Sequence, residues 1–154
     1  NFFKMKPKLL ISACLCGSNT KYNGKNNLIK NFELIKNNFE LFLVCPEVDG
    51  GLTTPRNPSE INGTKVFSNE GLDVTQEFYK GAEIALKTAL DNNIKLALLK
   101  DGSPSCGSKK IYDGTFSNCK IDGMGITTRL LRNNNIEVYN ENEIDLFLKC
   151  ALNK

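Results

Sequence analysis

The 154-residue chain contains no histidine, and this absence excludes whole classes of chemistry. Ser–His and Cys–His catalytic pairs need an imidazole, as do His-ligated metal sites. Proton transfer must therefore use carboxylates, lysines, tyrosines or water. Long apolar runs are also missing. Leu41–Val44 and Leu96–Leu99 fall far short of the ~20 residues a membrane-spanning helix needs, so no membrane partner is expected. Asn1–Lys8 carries three lysines with no apolar segment after them. No secretory signal is read there, and a cytoplasmic setting is expected. A net charge of +3 is too weak to point to duplex nucleic acid, although it suits a small anionic ligand. Nothing fixes an oligomeric state, and a monomer is the simplest expectation.

Six cysteines are present. Without an export signal or a dense short-chain framework they read as free thiols, metal ligands or nucleophiles rather than disulfides. The apolar fraction of 40% and charged fraction of 24% are ordinary for a globular protein. The length suits one domain, since domains commonly run ~100–150 residues. That domain is placed at residues 5–154, and Asn1–Lys4 ahead of Met5 is set aside.

Three short continuous apolar runs, Leu9–Ser12, Leu41–Val44 and Leu96–Leu99, predict strands covered on both faces. Ile136–Tyr139 alternates and suits an edge strand. Helical periodicity is clearest over Asp73–Asn92, with Val74, Phe78, Ala82, Ala85, Leu86, Ala89 and Leu90 on one face. Asp73 and Gln76 have capping-box spacing there. Shorter helices are expected over Leu28–Asn37, burying Leu28, Leu34 and Ile35, and over Ile126–Arg132, burying Leu130 and Leu131. A last helix opens at Asn140 with Glu143 and reaches Leu152. Alternating strands and helices predict an α/β fold: a doubly wound, mainly parallel four-stranded sheet, Rossmann-like or flavodoxin-like. Pro46–Leu72 and Gly102–Gly125 read as long loops at the carboxyl ends of the strands, and such lengths usually mark function.

Cys14 follows the first strand, Cys45 the second, and Cys106 lies in the loop after the third. In a parallel sheet these ends share one edge, where ligands of such folds bind. Convergence of three thiols there is hard to explain as packing. Cys16, Cys119 and Cys150 read instead as small buried hydrophobes. Gly or Pro flanks each of the three convergent thiols and sets a tight turn. Glu47, two residues after Cys45, is a candidate acid–base. Three thiolates without histidine fit zinc with a water or a fourth cysteine such as Cys16. They equally fit a 4Fe–4S cluster with one iron left without a protein ligand, a soft Lewis acid that prefers sulfur.

Several motifs together resemble the thiouracil desulfidase family. They include Ser12-Ala13-Cys14-Leu15, Lys21-Tyr22-Asn23-Gly24, Cys45-Pro46-Glu47, Gly50-Gly51-Leu52, Thr54-Pro55-Arg56 and Asp73-Val74-Thr75. Ser103-Pro104-Ser105-Cys106-Gly107, Ile111-Tyr112-Asp113-Gly114-Thr115-Phe116 and Gly123-Met124-Gly125 complete the series. The resemblance runs from about Leu9 to Phe147. It implies a 4Fe–4S cluster on Cys14, Cys45 and Cys106, with Glu47 and Ser103 as catalytic side chains. It also implies non-redox desulfuration of a thiolated pyrimidine to the uracil compound and hydrogen sulfide. Some members of that family carry a second, C-terminal domain, and the short form that this chain resembles looks similar to enzymes of 4-thiouracil base, nucleoside or nucleotide rather than of free 2-thiouracil. Two departures stand out: Thr20 where many relatives have a further cysteine, and Cys16 where many have an aliphatic residue.

Substrate contacts are expected from Arg56, Ser105, Gly107 and Lys109. Arg56, Lys109 and Lys110 are cations within reach of the site, and the Gly107–Ser108 turn offers backbone N–H groups to a phosphate. For Arg56 the competing expectation is an ion pair with Glu60. Two other functions use the same residues. One is a zinc hydrolase or deaminase with a metal-bound hydroxide, which would be colourless where a cluster is brown. The other is a metal-stapled nucleotide-binding module, which would show no turnover.

Overall fold

The computed structural model of the protein describes residues 5–152. Along the chain its helices and strands are β1 (Lys8–Ser12), α1 (Phe32–Asn38), β2 (Glu40–Val44), α2 (Pro46–Asp49), β3 (Ser59–Asn62), β4 (Lys65–Ser68), α3 (Thr75–Asp91), β5 (Leu96–Leu99), β6 (Lys110–Tyr112), β7 (Lys120–Asp122), α4 (Ile126–Asn133), β8 (Glu137–Asn140) and α5 (Ile144–Leu152). The sheet has the order β2-β1-β5-β8 and all its pairings are parallel. The expected α/β fold is what forms.

Side-chain alternation along β1 sends Leu10 to one face and Leu9 and Ile11 to the other. Leu10 packs with Ala97 and Leu99 of β5, Ala85 and Ala89 of α3, and Leu131 of α4. Leu9 and Ile11 pack with Leu98, Ile35 of α1, Phe39, and Phe147 of α5. Helices thus cover both faces, and strands buried on both sides read as unbroken apolar runs. Phe39, Phe147 and Phe78 are wholly or almost wholly buried, and truncating such a side chain to Ala costs ~3–5 kcal/mol.

Several local expectations shift. β2 is an edge strand rather than a covered one, and Leu43 is 48% exposed. α1 starts at Phe32, so Leu28 lies ahead of it and is exposed together with Leu34, while Ile35 is buried. At α3 no Asp73–Gln76 capping box forms. Asp73 Oδ1 instead accepts the Thr75 N–H at 2.9 Å, and the helix begins at Thr75. The Asn140–Glu143 box does form, with Glu143 Oε1 accepting the Asn140 N–H at 3.1 Å. It opens a 3-10 turn, Glu141–Glu143, that runs into α5.

The two long stretches carry structure of their own. β3 and β4 form one antiparallel hairpin and β6 and β7 another. α2 docks on α3 through two glycines: a Cβ on Gly81 would lie 1.8 Å from the Pro46 carbonyl oxygen, and one on Gly50 would lie 2.0 Å from that of Glu77. No helix among the described residues is long and apolar enough to cross a membrane.

Candidate active site

Three loops leave the carboxyl edge of the sheet. β1 ends at Ser12 and turns at once into a 3-10 segment, Ala13–Cys16, that closes on Gly17 with φ +91°. The Cys14 Sγ there accepts an N–H of Asn27 at 3.5 Å. β2 passes through Cys45 into α2, with Pro46 pre-setting its first turn. The Cys45 backbone N–H donates to Asp49 Oδ2 at 3.1 Å, and its thiol lies 3.9 Å from the Thr20 carbonyl oxygen. β5 leads into the loop in which Ser103 Oγ accepts the N–H groups of Ser105 and Cys106 at 3.0 and 3.1 Å. Thr128 on α4 pins the Cys106 carbonyl with a 2.8 Å hydrogen bond.

Cys14, Cys45 and Cys106 line one pocket of about 550 Å³, together with Glu47, Ser103 and Ser105. All three cysteines are free. Burial raises the pKa of Cys14 and Cys45 and pushes that of Cys106, 5% exposed, up to about 12. The Cys14 thiol is close enough to raise that of Cys106 and to be raised by that of Cys45. A metal group bound here would have to displace the protons.

Glu47 stands at the centre of the polar contacts. Its Oε1 accepts from Arg56 Nε at 3.1 Å. Its Oε2 accepts from Ser105 Oγ at 2.9 Å and Ser103 Oγ at 3.3 Å. The two serine oxygens are 2.8 Å apart, and Ser105 Oγ lies 3.6 Å from the Cys106 Sγ. Arg56 takes Glu47, not Glu60. Its Nη1 donates to Thr53 O and Thr54 Oγ1 at 3.2 and 3.0 Å, and its Nη2 to Thr20 O at 2.9 Å.

Gly107 and Lys109, both expected at the substrate, have other partners in this structure, as do their neighbours Ser108 and Lys110. Gly107 packs backbone to backbone, since a Cβ there would lie 2.6 Å from the Lys110 carbonyl oxygen. Its N–H is taken by Ser103 O at 2.9 Å, and the Ser108 N–H by Asp101 Oδ1 at 3.0 Å. That turn has no N–H left for a phosphate. Lys109 lines a separate groove and pairs with Glu143 at 3.3 Å. Lys110 pairs with Asp122 at 2.5 Å. Cys119 is exposed rather than buried, and Cys16 and Cys150 are half-buried.

Residues not expected at the site also line it: Asn27, Lys100, Asp101, Tyr112, Phe116 and Lys120. Lys100 pairs with Glu141 at 2.9 Å. Asp101 Oδ1 holds the N–H groups of Ser108, Lys109 and Lys110. Its position directly after the third strand was the available signal.

Residues 9–143 match the family described as 2-thiouracil desulfurase. The chain belongs to that family. It is 39% identical over 147 residues to the Bacillus subtilis (strain 168) protein YbbK, itself described as uncharacterized, with 89% of this chain and 97% of that protein covered. A solved structure of TudS, described as a [4Fe-4S]-dependent thiouracil desulfidase, superposes with a TM-score of 0.93 at 42% identity, covering 97% of this chain and all of that one. The resemblance read from the motifs and the α/β fold are both upheld.

Proposed function

We propose that this desulfurase converts a thiolated pyrimidine and water to the oxygenated pyrimidine and hydrogen sulfide, using a 4Fe–4S cluster held by Cys14, Cys45 and Cys106. One observation carries the reading. The carboxylate of Glu47 and two serine hydroxyls share a pocket with three free thiols from three strand ends. The donor set suits such a cluster, being all sulfur. Among the described residues, no three Cys, Asp or Glu side chains are gathered as one ion would require. A single zinc ion would need such a gathering. The named cofactor of TudS supports the same choice.

When bound, a cluster with three protein ligands supplies an open, thiophilic iron that polarises a thiocarbonyl. The chain does the proton work. Glu47 takes a proton from the attacking water through Oε2, the oxygen turned toward the serines. Ser103 and Ser105 orient that oxygen and the water, and Arg56 holds the other oxygen still. No electrons are gained or lost: water supplies the new carbonyl oxygen, and its two protons leave with sulfide.

The expected substrates are thiouracils, with 4-thiouracil as base, nucleoside or nucleotide turned over better than 2-thiouracil. Anaerobic protein mixed with each compound in ¹⁸O-labelled water tests this. Stoichiometric sulfide release with ¹⁸O in the product, and no added reductant or oxidant, is the expected result. Release that requires a reductant, or product without ¹⁸O, rules the hydrolytic route out.

A further inference from the structure

Tyr112 at the end of β6 and Phe116 and Asn118 in the connection from β6 to β7 line the pocket, and nothing in the reaction above uses that connection. Its backbone is costly. Phe116 has φ +56°, a left-handed value uncommon for a bulky side chain and worth roughly 1–3 kcal/mol of strain, while Asn118 at φ +61° is of a type that tolerates it. Such strain persists only where the surroundings over-determine it, and here they do. Glu60, on β3 and 9% exposed, accepts the N–H groups of Gly114 and Phe116 through Oε1 at 2.9 and 3.1 Å. Asp113 Oδ1 accepts the Thr115 N–H and hydroxyl at 3.0 and 2.6 Å. Gly114 presses on β3 so closely that a Cβ would lie 2.7 Å from the Ile61 carbonyl oxygen. Lys120 Nζ sits 5.4 Å from the centroid of the Tyr112 ring. The outcome of all this restraint is a phenylalanine left 39% exposed on the pocket's wall, where hydrophobic burial alone would have turned it inward.

We infer that Phe116 is a specificity-determining residue that stacks on the face of the substrate's planar ring, and that Glu60 is the positioning residue that presents it. This rests on the desulfuration reading and adds to it. The thiols, Glu47 and the serines address one carbon–sulfur bond, and none of them recognises the faces of a heteroaromatic ring. An aromatic side chain does, at ~1–3 kcal/mol per base, which is about 5- to 150-fold in affinity.

The test is steady-state kinetics on anaerobic, cluster-loaded protein with 4-thiouracil, together with calorimetric titration of uracil, the product. Phe116→Ala raises KM and weakens uracil binding by about tenfold or more, with the loss falling on KM rather than kcat. Phe116→Leu, apolar but without a π face, behaves like Ala, whereas Phe116→Tyr recovers. Glu60→Ala moves KM and uracil affinity the same way with iron content unchanged. Glu60→Gln, which keeps a carbonyl acceptor for the two N–H groups, recovers. Since Phe116 is partly exposed, its variants retain the wild-type melting temperature. Wild-type KM and uracil affinity in Phe116→Ala or Phe116→Leu overturn the inference while wild-type turnover leaves the desulfuration reading standing. A wild-type protein that loads its cluster and releases no sulfide overturns that reading, and the ring wall with it.

Discussion

Glu47 divides its two oxygens between opposite neighbours, Arg56 on one side and the Ser103–Ser105 pair on the other. The guanidinium fixes the carboxylate, and the hydroxyls leave one oxygen within reach of a reacting water. Glu47→Gln keeps the shape and most contacts but cannot accept a proton. Its kcat is expected to fall by ~10²–10⁴-fold while iron content, measured on the same sample, stays at the wild-type level. Arg56→Ala leaves a carboxylate that is only 15% exposed without its cation. Breaking a buried pair from one side costs on the order of 3 kcal/mol, read as a lowered urea midpoint. Arg56→Lys restores the charge but not the fork to Thr20, Thr53 and Thr54, and falls between the two. Because those contacts occupy the guanidinium, activity on 4-thiouracil base and on its nucleotide should fall together. Unequal losses would return Arg56 to the substrate. Glu47 was flagged in the sequence by its place two residues after Cys45, and Ser103 only through the resemblance of its motif to the desulfidase family. Arg56's service to Glu47 was not, because it is decided by which of two carboxylates, Glu47 or Glu60, the fold brings near.

Elements reach the site through close backbone contacts that side-chain patterns do not record. α2 carries Glu47, and its seat on α3 depends on Gly81 and Gly50. Propensity alone says that Ala at Gly81 stabilises α3 by ~0.5–1 kcal/mol. Contact says otherwise, since a Cβ 1.8 Å from the Pro46 carbonyl oxygen must push α2 away, and backbone shifts of that kind cost ~1–3 kcal/mol or more. The contact wins, so Gly81→Ala should lower the melting temperature and activity together. A raised melting temperature would count against the docking. Asp101 plays the equivalent part for the Cys106 loop. Burial would raise its pKa, but the N–H groups of Lys109, Lys110 and Ser108 outweigh burial and hold the carboxyl below its usual range. A depressed carboxyl contributes stability above its unfolded value of ~3.9 and loses it as pH falls through the folded one. Asp101→Asn should therefore flatten the loss of stability below about pH 4 and lower the neutral-pH stability by about 1–2 kcal/mol, measured by urea melts across that range. The hairpins that carry Glu60 and Phe116 escaped a sequence reading because strands of three or four mixed-polarity residues show no period long enough to register.

For the molecule as a whole, one topological fact gathers the chemistry. Four parallel strands set their carboxyl ends on one edge, so residues 14, 45 and 106 meet although some 30 and 60 positions separate them. β1 and β5 were legible because strands covered on both faces announce themselves as unbroken apolar runs, and β2 read the same way although it is a half-exposed edge. What lines the far side of the pocket was not legible, since it is built from loops whose paths only the fold determines. The measurement that bears most directly on the account is iron and acid-labile sulfide per chain after anaerobic reconstitution, taken beside sulfide release from 4-thiouracil. Wild-type protein, Cys119→Ser and Cys150→Ser should be brown, hold about four of each per chain and turn over. Cys14→Ser, Cys45→Ser and Cys106→Ser should lose both the colour and the activity. A Cys45→Ser protein that keeps its full iron and its turnover would contradict the three-cysteine site.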